Sequence, residues 1–213
     1  MKYLFSVLLS LFAISGMAQK DPKAKVVLDK VSAKFKTLNA VKANFTLKLS
    51  NSAGKALGTK AGLLQVKGSK FRITQGKDVI INDGKTNWYY TNDANEVTVS
   101  KVDPTSDAFT PQKLFTNFYD KDFIYKKNAD TKIGGKAVSE IELTPTNKSK
   151  NFFKVLLYID NSSNLISGAK IYEKSGNIFD YTVSGLVQNP ALADKDFTFN
   201  KAEFPGVEVV DLD

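Results

Sequence analysis

The chain has 213 residues, and 30 basic against 22 acidic residues give a formal net charge of +8. Its apolar (42%) and charged (24%) fractions exclude a disordered or fibrous chain, and its length fits one domain. Cysteine and histidine are both absent, which excludes disulfides, thiol nucleophiles, imidazole-based triads and zinc sites built from these residues. Every basic residue except Arg72 is lysine. We interpret the lysines mainly as a solubilising surface, with at most a weak attraction to acidic membrane headgroups or to an acidic partner, and we expect no nucleic-acid binding and no cofactor.

The first eighteen residues have the pattern of a secretory leader. Lys2 precedes the apolar stretch Leu4 to Ile14, and the small residues Gly16 and Ala18 follow at cleavage-site positions. We predict cleavage after Ala18, which makes 1–18 a signal peptide and 19–213 a single exported domain. An uncut membrane anchor is the alternative, although the apolar stretch is short for a span.

The mature chain begins with one predicted helix. Asp21 is a good N-cap followed by proline, and apolar residues then recur every three or four positions, which predicts a helix from Pro22 to Leu38. From Val41 the period changes to two, which is typical of strands with one dry face. The further predicted strands are 56–67, 70–74, 79–81, 86–91, 96–102, 123–127, 136–144, 152–160, 165–174 and 178–187.

Two later segments interrupt the strand pattern. Thr110-Pro111 starts a short apolar segment predicted to be helical, and Asn189-Pro190 starts a shorter one near Leu192. About ten antiparallel strands with one apolar face each must either curl into a hollow sheet plugged by helices or pack as a solid sandwich. The pattern alone leaves both architectures open.

Several stretches of the chain occur in an order that resembles a known family. They are AVKANFTLKL (Ala40 to Leu49), KFRI (Lys70 to Ile73), NDGKTNWYY (Asn82 to Tyr90), IELTP (Ile141 to Pro145) and DFTFNKAEFPGVEVVD (Asp196 to Asp211). Together they cover most of the mature chain and resemble the outer-membrane lipoprotein carrier family, LolA.

The resemblance implies a fold and a function. The fold is mainly β: an incomplete, half-open antiparallel barrel of about ten to eleven strands, with a lid of two or three helices over an apolar cavity. The function is that of a monomeric, non-enzymatic periplasmic carrier, which binds the acyl chains of lipoproteins. Its implied partners are acylated lipoproteins, an inner-membrane lipoprotein-releasing ABC transporter, and an outer-membrane acceptor or membrane surface.

The resemblance and the apolar pattern together suggest residues for the cavity and lid. Burial in an ordinary core is the alternative interpretation for each of them. The candidates are Leu28, Val31, Phe35, Leu38, Phe45, Leu47, Phe71, Trp88, Tyr90, Leu114, Phe115 and Phe118.

One departure from the family concerns the closure of the lid. Well-studied members carry Arg-Pro after the Val-Lys that corresponds to Val66-Lys67, and that arginine holds the lid shut. Here Gly68-Ser69 follows instead, so Arg72 is our candidate latch.

Other functions remain as alternatives at this point. One is a periplasmic lipid- or glycolipid-binding sensor or regulator of the same fold, and another is a carrier of other amphiphiles. An enzyme ranks last, because the acidic pairs Glu140/Glu142 and Asp120/Asp122 have a spacing that is common on exposed strand edges.

Overall fold

The computed structural model describes residues 20–103 and 119–212. The helix α1 spans Pro22–Lys36 and the short helix α2 spans Tyr119–Asp122. The strands are β1 (Ala40–Asn51), β2 (Ala56–Lys67), β3 (Lys70–Gln75), β4 (Asp78–Asn82), β5 (Thr86–Thr91), β6 (Glu96–Lys101), β7 (Phe123–Lys127), β8 (Thr131–Ile133), β9 (Lys136–Pro145), β10 (Phe152–Asp160), β11 (Ile166–Glu173), β12 (Asn177–Gln188) and β13 (Glu208–Asp211). Two 3-10 turns, Asp194–Phe197 and Lys201–Glu203, precede β13.

All thirteen strands within residues 20–103 and 119–212 belong to one sheet. Its order is β13-β6-β5-β4-β3-β2-β1-β12-β11-β10-β9-β7, with β8 paired to β9. The neighbours are antiparallel except β13, which runs parallel to β6. The sequence prediction of a mainly β, incomplete barrel with helices is confirmed, and the two-sheet sandwich is excluded. The strand number is higher than predicted because β8 and β13 were not recognised.

The helix α1 forms where its sequence pattern predicts. The Asp21 carboxylate accepts a 2.8 Å hydrogen bond from the backbone N–H of Lys23, and Pro22 occupies the first turn. The buried side chains of α1 include Leu28, Val31 and Phe35, each of which stabilises the fold by about 1.5–3 kcal/mol through burial. They pack against β7, β9 and β10 in the main core.

A second core lies on the other face of the sheet. Val79 and Ile81 of β4 are buried there with Val97 of β6, under Phe204 and Val207 of the C-terminal segment. The intervening residue, Ile80, points to the opposite face, as strand geometry requires. The strand β4 therefore has apolar side chains packed on both of its faces.

The predicted helical segment at Asn189-Pro190 is wrong in position. Residues 190–193 are not helical, and the 3-10 turn begins only at Asp194. Asn189 has a φ of 51° and its side-chain oxygen accepts a 2.7 Å hydrogen bond from the backbone N–H of Asn39. This contact ties the chain that leaves β12 to the start of β1. Asn189 therefore ends the strand connection and does not begin a helix. The predicted segment after Thr110 lies outside the described residues.

Candidate functional site

A partly open cavity of about 300 Å³ lies on the face of the sheet that carries the main core. Strands β1 to β4 supply one wall, and β11 and β12 supply the other. These six strands are consecutive in the sheet, so they enclose one space only because the sheet curls. The lining residues are Ala43, Phe45, Leu64, Ile73, Gln75, Ile80, Ile166, Gly168, Ala169, Ile171, Tyr181 and Val183.

The chemistry of this lining is almost entirely apolar. Among the described residues that line it, none carries a formal charge, and Gln75 and the hydroxyl of Tyr181 are its side-chain polar groups. Burial raises the pKa of Tyr181, with a smaller contribution from the charge of Glu173, so this hydroxyl stays neutral at physiological pH. The cavity therefore suits an aliphatic ligand.

Phe45 is the largest apolar side chain in the lining. Its ring lies 6.0 Å from the ring of Tyr181, centroid to centroid, at an interplanar angle of 54°. On its other side the ring lies over Gly62, which pairs with Phe45 across β1 and β2. A Cβ on Gly62 would meet the ring of Phe45 and would lie 2.6 Å from the carbonyl oxygen of Thr74. The glycine thus allows the ring to lie flat against the cavity wall.

The cavity shares a wall with the main core. Ile166, Ala169 and Ile171 of β11 line the cavity and also pack against the core beneath α1. Movement of α1 would therefore change the shape of the cavity through these three side chains.

The predicted cavity residues divide into five groups. Phe45 lines the cavity. Leu28, Val31, Phe35 and Leu38 are buried in the main core beside it. Leu47 and Phe71 are buried too, but neither is among the lining residues.

The remaining predicted residues lie elsewhere. Trp88 and Tyr90 pack in the second core, on the sheet face opposite to the cavity, so their assignment to the cavity needs correction. The ring of Tyr90 lies 4.4 Å from that of Phe204, centroid to centroid. Leu114, Phe115 and Phe118 lie outside the described residues.

Sequence reasoning missed most of the lining. Leu64, Ile73 and Ile80 occupy one continuous row across β2, β3 and β4, because each is paired with the next in the strand register. The signal that could have found them is the alternation within each strand. Alternation shows which residues share a face of the strand, but it does not show which face lines the cavity.

The candidate latch Arg72 lies on the opposite face of β3 from the cavity residue Ile73. Its guanidinium donates to the carboxylate of Glu203 at 2.7 Å and to the carbonyl oxygen of Asp196 at 3.4 Å. Lys67 and Lys70 form ion pairs with Asp194 at 3.0 and 3.2 Å. These contacts hold the C-terminal segment against β2 and β3, and they do not involve α1.

Polar contacts hold α1 at its N-terminus and at its middle. The Asp21 carboxylate accepts a 2.8 Å hydrogen bond from the backbone N–H of Lys127 on β7. Further along, the buried hydroxyl of Tyr119 donates to the Asp29 carboxylate at 2.6 Å, and Lys25 forms an ion pair with the same carboxylate at 2.9 Å. The hydrogen bond from Tyr119, and then that from Lys25, lowers the pKa of Asp29. These contacts tie α1 to β7 and α2.

The part of the chain that the structure describes contains no group of three acidic residues arranged to hold a metal ion. No helix within residues 20–103 and 119–212 is long and apolar enough to cross a membrane.

Comparison with known proteins identifies the family. The sequence profile described as "Outer membrane lipoprotein carrier protein LolA" matches residues 36–200. The chain belongs to the LolA family. The match includes every strand that lines the cavity.

Individual relatives agree with this LolA assignment. The "Outer-membrane lipoprotein carrier protein" of Legionella pneumophila is 26% identical over 99% of both chains. The protein of the same name from Cupriavidus necator is 28% identical over 88% of this chain and 90% of the relative.

Among solved structures, an uncharacterized conserved protein from Thermus thermophilus has a TM-score of 0.59 at 11% identity. The match covers 89% of this chain and 99% of that one. The Mycobacterium tuberculosis lipoprotein LppX gives 0.50 at 14% identity, over 82% and 99% of the two chains. At these identities the likeness concerns the LolA fold alone.

Proposed function

We propose that this protein is a periplasmic carrier that binds the acyl chains of lipoproteins in the cavity and delivers them towards the outer membrane. Its cargo comes from a releasing transporter in the inner membrane and passes to an outer-membrane acceptor or to the membrane surface. The observation that carries this proposal is the uncharged, apolar lining formed by β1–β4 and β11–β12. Membership of the LolA family supports it, since its relatives bear the name of lipoprotein carriers.

The energetics of an acyl chain explain why a carrier is needed. Each buried CH₂ contributes about 0.8 kcal/mol, so a chain of about 16 carbons costs on the order of 12 kcal/mol to expose to water. The lining offers this chain aliphatic contacts with Ile73, Ile80 and Ile171, and no buried charge that would oppose it.

The size of the cavity adds a requirement. At about 300 Å³ it lies at the lower end of the range for ligand pockets. Several acyl chains together need more space than this, so binding of a triacylated lipoprotein requires the cavity to widen. The sheet is open between its edge strands β13 and β7, and an open sheet can spread where a closed barrel cannot.

A release assay tests the proposal. Spheroplasts that hold a newly made outer-membrane lipoprotein are incubated with the purified mature protein, and the soluble fraction is examined for a complex of the two. We expect a complex with the wild-type chain. We expect none with Val183→Asp, because a carboxylate in the cavity is poorly solvated and opposes an acyl chain.

The control is the same substitution on the same strand. Val187 is 50% exposed and does not line the cavity, so Val187→Asp should release lipoprotein as the wild type does. Absence of a complex with the folded wild-type protein would refute the carrier function. A folded Val183→Asp variant that still forms the complex would refute the assigned cavity.

A further inference from the structure

An exposed patch of aromatic and lysine side chains lies where β10 begins and β11 ends. We call it the aromatic–lysine patch and define it by Phe153, Tyr172, Lys148, Lys154 and Lys174. The ring of Phe153 is 48% exposed and lies 6.1 Å from the ring of Tyr172, centroid to centroid. The Nζ atom of Lys154 lies 4.2 Å from the centroid of the same tyrosine ring.

A β-bulge turns Phe153 outwards. Phe152 pairs with Glu173 and Lys154 pairs with Tyr172, so Phe153 is an extra residue without a partner in the register. Its neighbour Phe152 is buried and stacks on Phe123 in the main core. Bulges commonly re-aim a side chain at a functional surface, and here the bulge places a large apolar ring in solvent beside a lysine.

The lysines of the patch carry free positive charge. Lys148, Lys154 and Lys174 have no carboxylate partner among the residues that the structure describes, and Lys174 donates to the carbonyl oxygen of Lys148. The nearby carboxylate is that of Glu173, which accepts hydrogen bonds from Asn151 and Ser175. Three lysines against one glutamate leave the patch basic.

We propose that the aromatic–lysine patch docks the protein on the surface of an anionic phospholipid bilayer. An aromatic ring with a lysine beside it suits the headgroup region, where the ring contacts acyl chains and the ammonium contacts phosphate. Three lysines beside an exposed aromatic ring match the charge of an anionic headgroup surface, whereas protein interfaces are depleted in lysine. This docking goes beyond acyl-chain carriage and does not depend on it.

The position of the patch keeps the cavity lining uncovered during docking. Ile171 lines the cavity and the next residue, Tyr172, belongs to the patch, so strand alternation places them on opposite faces of β11. A protein that rests on a bilayer through this patch keeps its cavity lining turned away from the lipid surface.

Vesicle sedimentation tests the proposal with the mature protein free of cargo. Vesicles of phosphatidylcholine mixed with phosphatidylglycerol should bind the wild type, and vesicles of phosphatidylcholine alone should not. Each lysine near an anionic surface strengthens binding roughly fivefold, so the triple variant Lys148→Gln, Lys154→Gln, Lys174→Gln should bind on the order of a hundredfold more weakly. Phe153→Ser should bind about tenfold more weakly.

Two matched controls separate the patch from net charge and from general apolarity. Lys23, Lys195 and Lys201 are exposed elsewhere, and their triple change to glutamine should weaken binding far less. Val209 is 47% exposed on β13, and Val209→Ser should bind as the wild type does. If the lysine triple variant unfolds, the single charge reversal Lys174→Glu serves in its place.

Three results would overturn the proposal. They are equal sedimentation with the two kinds of vesicle, no sedimentation with either, and equal losses in the two lysine triple variants. The carrier function is measured separately by the release assay, so either proposal can fail while the other stands.

Discussion

The ring of Phe45 on β1 occupies the space that a side chain at position 62 of β2 would need. Gly62 is paired directly with Phe45, and a Cβ built on Gly62 would meet the phenylalanine ring on one side and the backbone of β3 on the other. The cavity wall thus depends on a residue without a side chain, next to the bulkiest apolar group of the lining.

Substitution of Gly62 by alanine should therefore damage both stability and binding. The added methyl group forces the ring of Phe45 away from the wall, and overpacking of this kind costs about 1–3 kcal/mol. We expect a lower free energy of unfolding in urea and weaker binding of a fluorescent fatty acid, because the displaced ring fills part of the cavity.

Gly58 on the same strand supplies the control. A Cβ at Gly58 meets nothing within 4 Å, so Gly58→Ala should change stability by less than about 0.5 kcal/mol and leave binding unchanged. Equal stability and equal binding in the two alanine variants would show that the position of the Phe45 ring does not depend on Gly62.

The hydrogen bond between Tyr119 and Asp29 predicts a pH-dependent stability. Removal of the hydroxyl in Tyr119→Phe should cost about 1–2 kcal/mol at neutral pH, because a buried donor to a carboxylate is lost. The bond lowers the pKa of Asp29 below its ordinary value of 3.8, so its contribution is present above that value and is lost as the pH falls through the lowered pKa.

The measurement is thermal unfolding of the wild type and of Tyr119→Phe across a pH series. The difference in melting temperature should be constant near neutral pH and should shrink below about pH 4. If the difference in melting temperature stays the same at every acidic pH measured, the ionised carboxylate of Asp29 is not the acceptor of this hydrogen bond.

Asn189 should contribute to the stability of the protein through two properties that can be tested separately. Its side chain accepts hydrogen bonds from the backbone N–H groups of Asn39 and Ala40, and its φ of 51° lies in the left-handed region. Asn189→Gly keeps the conformation and loses the bonds, whereas Asn189→Ala loses both, so we expect a loss of about 1 kcal/mol for glycine and about 2 kcal/mol for alanine.

Urea unfolding of the two Asn189 variants measures this difference. If glycine and alanine destabilise the protein equally, backbone conformation plays no part at this position.

Arg72 should act on the C-terminal segment and leave cargo binding unchanged. Its partner Glu203 is partly exposed, so a double-mutant cycle of Arg72→Leu and Glu203→Gln should give a coupling energy of about 0.5–1 kcal/mol. Release of lipoprotein by Arg72→Leu should match the wild type. A clear change in release, with stability unaltered, would restore the idea of a latch.

The sequence predicted the elements of the fold better than it predicted the site. Alternation of apolar and polar residues, together with the turn signals between segments, located eleven of the strands. The strand β8 has three residues, too few for a period to be recognised, and β13 pairs in parallel with a distant strand, for which the sequence carries no local turn signal. The pairing of β1 with β12 likewise could not be predicted, because the two strands are far apart in the sequence.

The misplacement of Trp88 and Tyr90 has a physical cause. In β4 the residues Val79, Ile80 and Ile81 are consecutive and apolar, because both faces of that strand are covered. A run of this kind does not reveal which of its side chains faces the cavity. The strand β5 pairs with β4, so the sequence does not show which of its side chains face the cavity either. Trp88 and Tyr90 lie on the face that the C-terminal segment covers.

The segment that precedes β13 has a consequence for incomplete chains. The apolar surface of Val79, Ile81 and Val97 packs under Phe204 and Val207, which come from a segment far along the chain. A polypeptide truncated before position 199 would keep the strands that line the cavity, but the apolar side chains of Val79, Ile81 and Val97 would be exposed to solvent. Such fragments would be prone to proteolysis and aggregation, so the C-terminal segment protects this face of the sheet as well as packing on it.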